Sequence, residues 1–171
     1  TYTSIMIGTH ADAVIADAYV KGFRDYDVEK AYEAMRKNAF FPPFGDKGNQ
    51  HYVQNPWVND SALNLPENAG NPWWDRGMYN GGYEARGGLT WYMKYGYIPQ
   101  DYTSESVSRT CEFSYNDFCL GIMANALGHE KDYALLQNRQ KNYQNLYNEK
   151  HRTMMPKNSD GTWYAPEHSE N

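Results

Sequence analysis

Residues 105–127 read ESVSRTCEFSYNDFCLGIMANAL and predict the longest helix of the chain, which Gly128 ends. Ser104 or Thr103 is placed to cap its first turn. Its apolar side chains recur at spacings of three, four and seven residues and form two stripes rather than one. A helix that is apolar on two faces is buried on more than one side. The stripes consist of Val107, Cys111, Tyr115, Phe118, Ile122 and Ala126, and of Phe113, Leu120 and Leu127.

A more polar helix is predicted directly after this one, over residues 131–147. Apolar side chains occupy one of its faces, whereas asparagine, glutamine and lysine occupy the other. This pattern is typical of an outer helix that packs on one side and meets water on the other. The two helices therefore form a hairpin with one inner and one outer member. The inward-facing residues of the outer helix are Tyr133, Leu136, Tyr143 and Leu146.

A first hairpin of the same kind precedes them. Residues 10–21 predict an inner helix rich in alanine, which Gly22 ends. Asp27 is placed to cap an outer helix that runs to Asn38 and carries charged residues on its solvent face. The two hairpins share no detectable sequence repeat, which disfavours a solenoid of repeated units. The predicted apolar faces consist of Ala11, Val14, Ile15, Ala18 and Tyr19 on the inner helix, and of Ala31, Ala34 and Met35 on the outer helix.

Residues 40–86 separate the hairpins and contain proline or glycine at nearly every turn. Tryptophan and tyrosine are interleaved through this stretch, which favours an ordered loop lining a pocket over disorder. A short helix follows over residues 88–95 and ends at Gly96. The chain thus divides into a first hairpin (1–39), a pocket-side loop with one short helix (40–103), a second hairpin (104–147) and a tail (148–171), where Asp160-Gly161 predicts a tight turn.

Two inner/outer helical hairpins joined by a long loop predict a mainly α fold, a fragment of an (α/α)6 toroid. In that architecture inner helices surround a central pocket and outer helices surround the inner ones. Two hairpins cannot close a ring, so their lateral faces should be apolar and unpaired, and we expect more protein beside them. The chain also opens at Thr1 without an initiator methionine, which indicates an internal segment.

The composition disfavours several classes of function. A net charge of −5 disfavours nucleic-acid binding, and no run of about 18 apolar residues is present to span a membrane. The chain is 16% aromatic, and aromatic side chains with a polar group suit sugar binding, although they also fill cores. Cys111 and Cys119 lie about 12 Å apart on one predicted helix, too far for a disulfide. Asn59 begins an Asn-Asp-Ser sequon, a glycosylation site if the chain is secreted.

Five segments carry a family resemblance, and they are residues 6–19 (MIGTHADAVIADAY), 83–92 (YEARGGLTWY), 105–118 (ESVSRTCEFSYNDF), 142–147 (NYQNLY) and 160–163 (DGTW). They resemble, in the same order, glycoside hydrolase family 92, the calcium-dependent exo-α-mannosidases, in its eukaryotic and fungal members. The chain departs from that pattern at three positions. Arg152 stands where glycine is usual, Cys111 where leucine is usual, and Lys157 where arginine is frequent. Glycine at position 152 would permit a turn that arginine resists.

The resemblance implies an inverting hydrolase of terminal α-mannose, with a general-acid glutamate and a general-base carboxylate flanking the scissile bond. In the family the acid lies in a Thr-Glu-Gly motif just after the segment that contains Trp163, and the base lies much further on. Neither motif precedes Asn171, so no catalytic residue is assigned in this chain. The resemblance also implies a secreted protein that binds mannose-containing glycans, other segments of the same catalytic domain, and calcium, with ligands mostly outside this chain. The histidines lack metal-ligand spacing, so no metal ligand is predicted here.

Six residues are candidates for contact with substrate, because catalytic toroids place the pocket at the N-terminal ends of their inner helices. They are Thr9, His10, Glu84, Arg86, Glu105 and Trp163.

Structural roles compete with these assignments. Glu105 can complement the dipole of its own helix, and His10 can bond to nearby backbone. Arg86 can pair with Glu84 or Asp75 and pin the loop, and the tryptophan of the tail can simply be packed. For the protein as a whole, the alternative to a hydrolase is a non-catalytic sugar-binding or structural protein that kept the fold.

Overall fold

The computed structural model describes residues 7–42, 86–102 and 105–164. These residues form helices packed around one long central helix, followed by a short two-stranded tail. The helices are α1 (Ala11–Val20), α2 (Val28–Phe40), α3 (Leu89–Tyr95), α4 (Ser106–Leu127) and α5 (Glu130–Arg139), and a 3-10 helix (Asn142–Leu146) then leads into the antiparallel strands β1 (Tyr147–Asn148) and β2 (Thr153–Met154).

Helix α4 is the central element and contacts α1, α2 and α5. Its residues Leu120, Met123 and Ala124 are completely buried. They pack with apolar residues of the three other helices, so one face of α4 joins the two predicted hairpins. The predicted stripe that contains Leu120 therefore does face the core. The other buried members of this core are Ala16, Tyr19, Tyr32, Met35, Ala39, Cys119 and Leu136.

A smaller core lies beside the first half of α4. Phe113 packs there with Leu89 and Tyr92 of α3 and with Ile98. The rings of Tyr92 and Phe113 meet edge to face, with centroids 5.6 Å apart, an arrangement that aromatic quadrupoles favour. Helix α3 ends at Gly96, which is left-handed as a helix-stop glycine should be. The predicted short helix is thus confirmed.

The helix ends follow the predicted signals. The Asp27 carboxylate accepts a hydrogen bond from the Lys30 N–H at 3.0 Å and caps α2. Gly22 and Gly128 take left-handed conformations, with φ of 89° and 79°, just after α1 and α4. Helix α4 begins after Glu105, which is itself left-handed (φ 59°).

Helix α1 buries a different face from the predicted one. Its buried residues are Asp12, Ala16 and Tyr19, whereas Val14 is 70% exposed. Asp12 points inwards because it pairs with the buried Arg86. This long-range ion pair outweighs the apolar pattern of the helix itself. The predicted stripe is wrong at Ala11 and Val14, which are exposed, whereas Tyr19 is buried as predicted and Ile15 packs against the core.

Helix α2 also differs in part. Met35 is buried as predicted, but Tyr32 and Ala39 complete the packed face instead of Ala31 and Ala34. The Tyr32 hydroxyl donates to Asp132 of α5 at 2.8 Å, which draws this ring towards the neighbouring outer helix.

The outer helix of the second hairpin is shorter than predicted. Helix α5 ends at Arg139, and Asn142–Leu146 forms a 3-10 helix instead of continuing the α-helix. Two side chains support this break: the Tyr92 hydroxyl donates to the Arg139 carbonyl at 3.0 Å, and the Tyr143 N–H donates to Ser114 Oγ at 3.1 Å. These contacts satisfy backbone groups that a helix end leaves without partners.

The other predicted stripe of α4, which contains Tyr115 and Phe118, faces outwards in the middle of the helix. Tyr115 and Phe118 are 50% and 45% exposed, and they line an open groove together with Cys111 and Tyr143. Large exposed apolar faces are typical of surfaces that contact other protein. In the described part of the chain, this is the unpaired lateral face that the sequence predicts.

The tail contains the predicted tight turn. Gly161 is left-handed (φ 87°) and donates to the Asn158 carbonyl at 2.9 Å, while Lys157 and Trp163 pair across the turn. The β1–β2 connection is also left-handed, at Arg152 (φ 55°). An arginine thus takes the conformation that glycine would adopt without strain.

Two predictions from composition can be compared with the structure. Cys111 and Cys119 are both free, as predicted. Among the helices that the structure describes, not one combines the length and the apolar character that a membrane crossing requires.

Candidate substrate-binding site

The candidate residue Thr9 fastens the start of α1 to α4. Its backbone N–H donates to Asn116 Oδ1 at 2.8 Å, and its hydroxyl donates to Asp12 Oδ2 at 2.5 Å. Gly8 permits this approach, because it is left-handed and a Cβ there would lie only 2.9 Å from Asn116 Oδ1. Only glycine fits such a position without displacing its neighbours.

The candidate residue Arg86 lies in the protein interior and is surrounded by acceptors. Its guanidinium donates to Thr9 Oγ1 at 3.2 Å, to Asp12 Oδ2 at 3.1 Å and to Asp117 Oδ1 at 2.5 Å. The side chains of both ion pairs are at most 1% exposed. Because an unpaired buried charge is strongly destabilising, these carboxylates are what allow Arg86 to be buried.

Asp117 connects these residues to the second hairpin. Its carboxylate also accepts from Arg139 Nε at 2.8 Å, from Arg139 Nη2 at 3.1 Å and from the Tyr92 hydroxyl at 3.1 Å. Two carboxylates therefore face two guanidinium groups, and their formal charges balance. We refer to Thr9, Asp12, Arg86, Asp117 and Arg139 as the buried charge cluster. This cluster joins helices α1, α4 and α5 to the segment that precedes α3.

Burial and pairing shift the pKa values within this cluster. Burial raises the pKa of Asp12, and the nearby Arg86 offsets only part of that effect. Burial alone would lower the pKa of Arg86, but the carboxylates of Asp117 and Asp12 raise it above its ordinary value. Burial, followed by the charge of Asp117, raises the pKa of Tyr92. Arg86 therefore stays cationic and Tyr92 stays a neutral donor at every physiological pH.

Polar side chains follow one face at the start of α4, where Arg109 is buried between more exposed carboxylates. Glu105, Arg109 and Glu112 are spaced by four and three residues, so they lie on the same side of the helix. Arg109 Nη2 lies 3.6 Å from Glu105 Oε2, and its Nη1 donates to the Gly87 carbonyl at 3.1 Å. His10 Nδ1 lies 3.7 Å from Glu112 Oε2, and each of these two side chains is 39% exposed. Two carboxylates and an imidazole are thus accessible to solvent beside the buried Arg109.

The turn that carries the candidate Trp163 is docked at the start of α4. The Gln100 N–H donates to the Lys157 carbonyl at 2.9 Å, and the Ser106 hydroxyl donates to Gln100 Oε1 at 2.7 Å. The Lys157 ammonium lies 4.4 Å from the centroid of the Trp163 ring, within cation–π range. The tryptophan is 37% exposed, so its ring is partly open on a turn that is linked to the start of α4 through Gln100.

The described candidates fall into two groups. Thr9 and Arg86 direct their polar groups into the buried charge cluster and hold elements together. His10, Glu105 and Trp163 keep accessible surface, and their elements are connected through α4. Contact of any of them with substrate stays a prediction.

Some predicted features lie outside the residues that the structure describes. These are the candidate Glu84, the alternative Arg86 partner Asp75, the sequon at Asn59, and the cap residues Thr103 and Ser104. The described partners of Arg86 are Asp12 and Asp117.

Four charged residues of the site were not predicted from the sequence. Asp12, Asp117 and Glu112 each contact a candidate residue, and Arg139 pairs with Asp117. The available signal was a carboxylate inside a helix that is otherwise apolar: such a residue is almost never fully buried unless it is paired. The sequence does not reveal the partner, because Asp12 and Arg86 are 74 positions apart.

The described residues offer no calcium site that we can assign. Within residues 7–42, 86–102 and 105–164, no group of three or more His, Cys, Asp or Glu side chains is arranged to hold a metal. Calcium prefers six to eight oxygen ligands, and the carboxylates of the buried charge cluster are already taken up by guanidinium groups.

Comparison with known proteins begins with the family. The whole chain, residues 1–171, matches the glycosyl hydrolase family 92 catalytic domain. It is also 37% identical over 151 residues to an uncharacterised secreted glycosidase of Arthroderma benhamiae, an alignment that covers 82% of this chain and 14% of that protein.

Solved structures agree with this match. The fold is similar to that of a family GH92 inverting mannosidase of Bacteroides thetaiotaomicron, with a TM-score of 0.67 and 25% identity over 96% of this chain and 18% of that one. A family GH92 α-mannosidase of the same organism, solved alone and with mannoimidazole, gives a TM-score of 0.62 and 31% identity over 95% of this chain and 16% of that one. The chain thus spans less than one fifth of the length of each of these relatives, and its mainly helical fold is that of a toroid fragment. By these matches, the chain belongs to glycosyl hydrolase family 92.

Proposed function

We propose that the chain is part of the catalytic domain of an exo-α-mannosidase, which hydrolyses terminal α-mannose from glycans with inversion of configuration. The observation that carries this proposal is the match of all 171 residues to the family 92 catalytic domain. Support for the sugar comes from two fold relatives that are named as mannosidases, one of them inverting and the other solved with mannoimidazole.

The site geometry supports a role in binding rather than in bond cleavage. His10, Glu105 and Trp163 present an imidazole, a carboxylate and an indole face, which are the groups that bind a polyhydroxylated ring. The buried charge cluster holds α1 and α4, at whose starts His10 and Glu105 lie, without using these groups. The residues that donate and remove protons at the scissile bond belong to other segments of the domain, so the isolated chain is inactive.

The outward apolar face of α4 supports the same proposal. Tyr115 and Phe118 are exposed along α4, and Val14 is exposed on the adjacent α1. Neighbouring helices of the toroid would cover such a face, and the chain spans only 16–18% of the solved relatives.

Two further properties are part of the proposal. Calcium would be bound by ligands that lie mostly in the rest of the domain. The protein is secreted, which agrees with the description of its Arthroderma benhamiae relative as a secreted glycosidase. The sequon at Asn59 is then available for glycosylation.

Hydrolysis of aryl α-mannoside by the full-length protein tests this function. We expect release of mannose, with the β-anomer formed first in a proton NMR time course because the mechanism inverts. EDTA should abolish the activity and added Ca²⁺ should restore it. Aryl β-mannoside and aryl α-glucoside serve as controls. Binding of mannose without any hydrolysis would instead support the non-catalytic sugar-binding protein.

A further inference from the structure

We propose that Glu112 is a positioning residue for His10: its carboxylate orients the imidazole so that Nε2 accepts a hydrogen bond from a hydroxyl group of the glycan. This inference rests on the proposed function and adds one residue and one contact to it. Glu112 Oε2 lies 3.7 Å from His10 Nδ1, a distance slightly longer than a hydrogen bond.

The support behind this pair includes the completely buried Asn116. The peptide N–H next to His10, that of Thr9, is bonded to Asn116 Oδ1 at 2.8 Å, and Asn116 lies one turn after Glu112 on α4. A Cβ on Gly8 would lie 3.2 Å from the Glu112 Cβ and 3.5 Å from His10 Cε1. The backbone before His10 therefore packs closely on α4 at Glu112. This packing keeps the side chains of His10 and Glu112 next to each other.

The two side chains themselves remain accessible. Each is 39% exposed, in contrast to the completely buried Asn116 behind them. A half-exposed pair contributes little to stability, typically below about 1 kcal/mol. The pair is thus accessible to a ligand and contributes little to folding.

The chemistry follows from the two nitrogen atoms of the imidazole. A carboxylate beside Nδ1 favours the tautomer that carries its proton on Nδ1, because that proton points at the negative charge. Nε2 is then left with a lone pair and accepts from an O–H donor. Sugar hydroxyl groups are such donors. Contacts of this kind are often long in an empty site and shorten when substrate binds.

A double-mutant cycle on the full-length protein tests this inference, with aryl α-mannoside as the substrate. Glu112→Ala should raise KM about tenfold, the effect of one hydrogen bond, with little change in kcat. Glu112→Gln should keep part of the affinity, because its amide oxygen still accepts from Nδ1–H. In a His10→Ala background, Glu112→Ala should have no further effect, because Glu112 acts through the imidazole. All variants should unfold at the wild-type temperature.

A matched control is available on α1. Asp17 forms an exposed pair with Lys21 at 2.8 Å, with side chains 61% and 63% exposed. Asp17→Ala removes a comparable surface carboxylate and should leave KM unchanged. An unchanged KM in Glu112→Ala, or additive effects of the two substitutions, would contradict the inference alone. A wild-type protein that cleaves no α-mannoside would contradict the proposed function and the inference with it.

Discussion

Arg86 and Asp117 form an ion pair in which neither side chain is exposed to solvent. The pair joins a residue just before α3 to the middle of α4, and Asp12 of α1 and Arg139 of α5 complete its charge balance. Four elements therefore meet at one set of buried charges. Charged groups in such a position are costly to separate.

Removal of Arg86 should destabilise the protein strongly. Arg86→Met leaves Asp12 and Asp117 buried with too little positive charge, so we expect a loss of about 3 kcal/mol or more in the free energy of unfolding. Urea unfolding of the full-length protein measures this loss. Lys21→Met, which breaks only the exposed pair with Asp17, is the control and should cost less than about 1 kcal/mol. Equal losses in the two variants would refute the structural role of the cluster.

Gly8→Ala should displace the start of α1. The added Cβ would lie 2.9 Å from Asn116 Oδ1, and the residue keeps a left-handed φ of 86°. Gly22→Ala shares the same strain, with φ of 89°, but its Cβ would meet no atom within 4 Å. Gly22→Ala should therefore cost about 1–2 kcal/mol, and Gly8→Ala should cost more and also raise KM. Thermal unfolding and KM measurements on the two variants distinguish backbone strain, which both share, from the steric contact with Asn116, which only Gly8→Ala makes. Equal losses of stability and an equal KM in the two variants would show that the contact of Gly8 with Asn116 is unimportant.

Arg152→Gly should stabilise the tail. Arg152 holds φ at 55°, which costs an L-residue about 1–2 kcal/mol. Glycine removes this strain but gains about 0.5–1 kcal/mol of freedom in the unfolded chain, so the net gain should lie between about 0 and 1.5 kcal/mol. Lys150→Gly, in the same connection but without a left-handed φ, is the control and should destabilise. Chemical denaturation measures the free energy of unfolding of both variants. A loss of stability in Arg152→Gly would show that the left-handed backbone at Arg152 is not strained.

Stability should fall in acid through Asp132. The hydrogen bond from Arg36 lowers the pKa of this carboxyl below its ordinary value of 3.8, with Arg36 Nε 2.5 Å from Asp132 Oδ2. The unfolded chain then takes up the proton before the folded one, so this stabilisation is complete above the ordinary pKa and is lost as pH falls through the lowered one. Asp132→Asn should be less stable than wild type at about pH 6, and the difference should shrink towards about pH 3. Urea unfolding across that range checks this, and a pH-independent difference would argue against it.

Local signals in the sequence account for most of the fold. Gly128 and Asp27 mark helix ends that the structure confirms, and the turn at Gly161 forms as its Asp-Gly pair predicts. These features depend on neighbouring residues, so a single sequence contains the information. The two inner/outer hairpins predict a toroid fragment, and the family resemblance agrees with that prediction.

Long-range partners could not be predicted. Asp12 lies within an apolar helix pattern, and only its pairing with Arg86, 74 positions away, explains why α1 turns that face inwards. Helix α5 stops early because Tyr92, 47 positions before Arg139, donates to that carbonyl. For the same reason, the part that Glu112 plays beside His10 becomes visible only once α1 is packed on α4.

Mannose release by the full-length protein and by residues 1–171 alone, compared on one α-mannose-terminated glycan, tests the central claim most directly. If the chain is a non-catalytic portion of an α-mannosidase domain, the full-length protein releases mannose and the isolated chain releases none. Release by the isolated chain at a comparable rate, or none by the full-length protein, would contradict it.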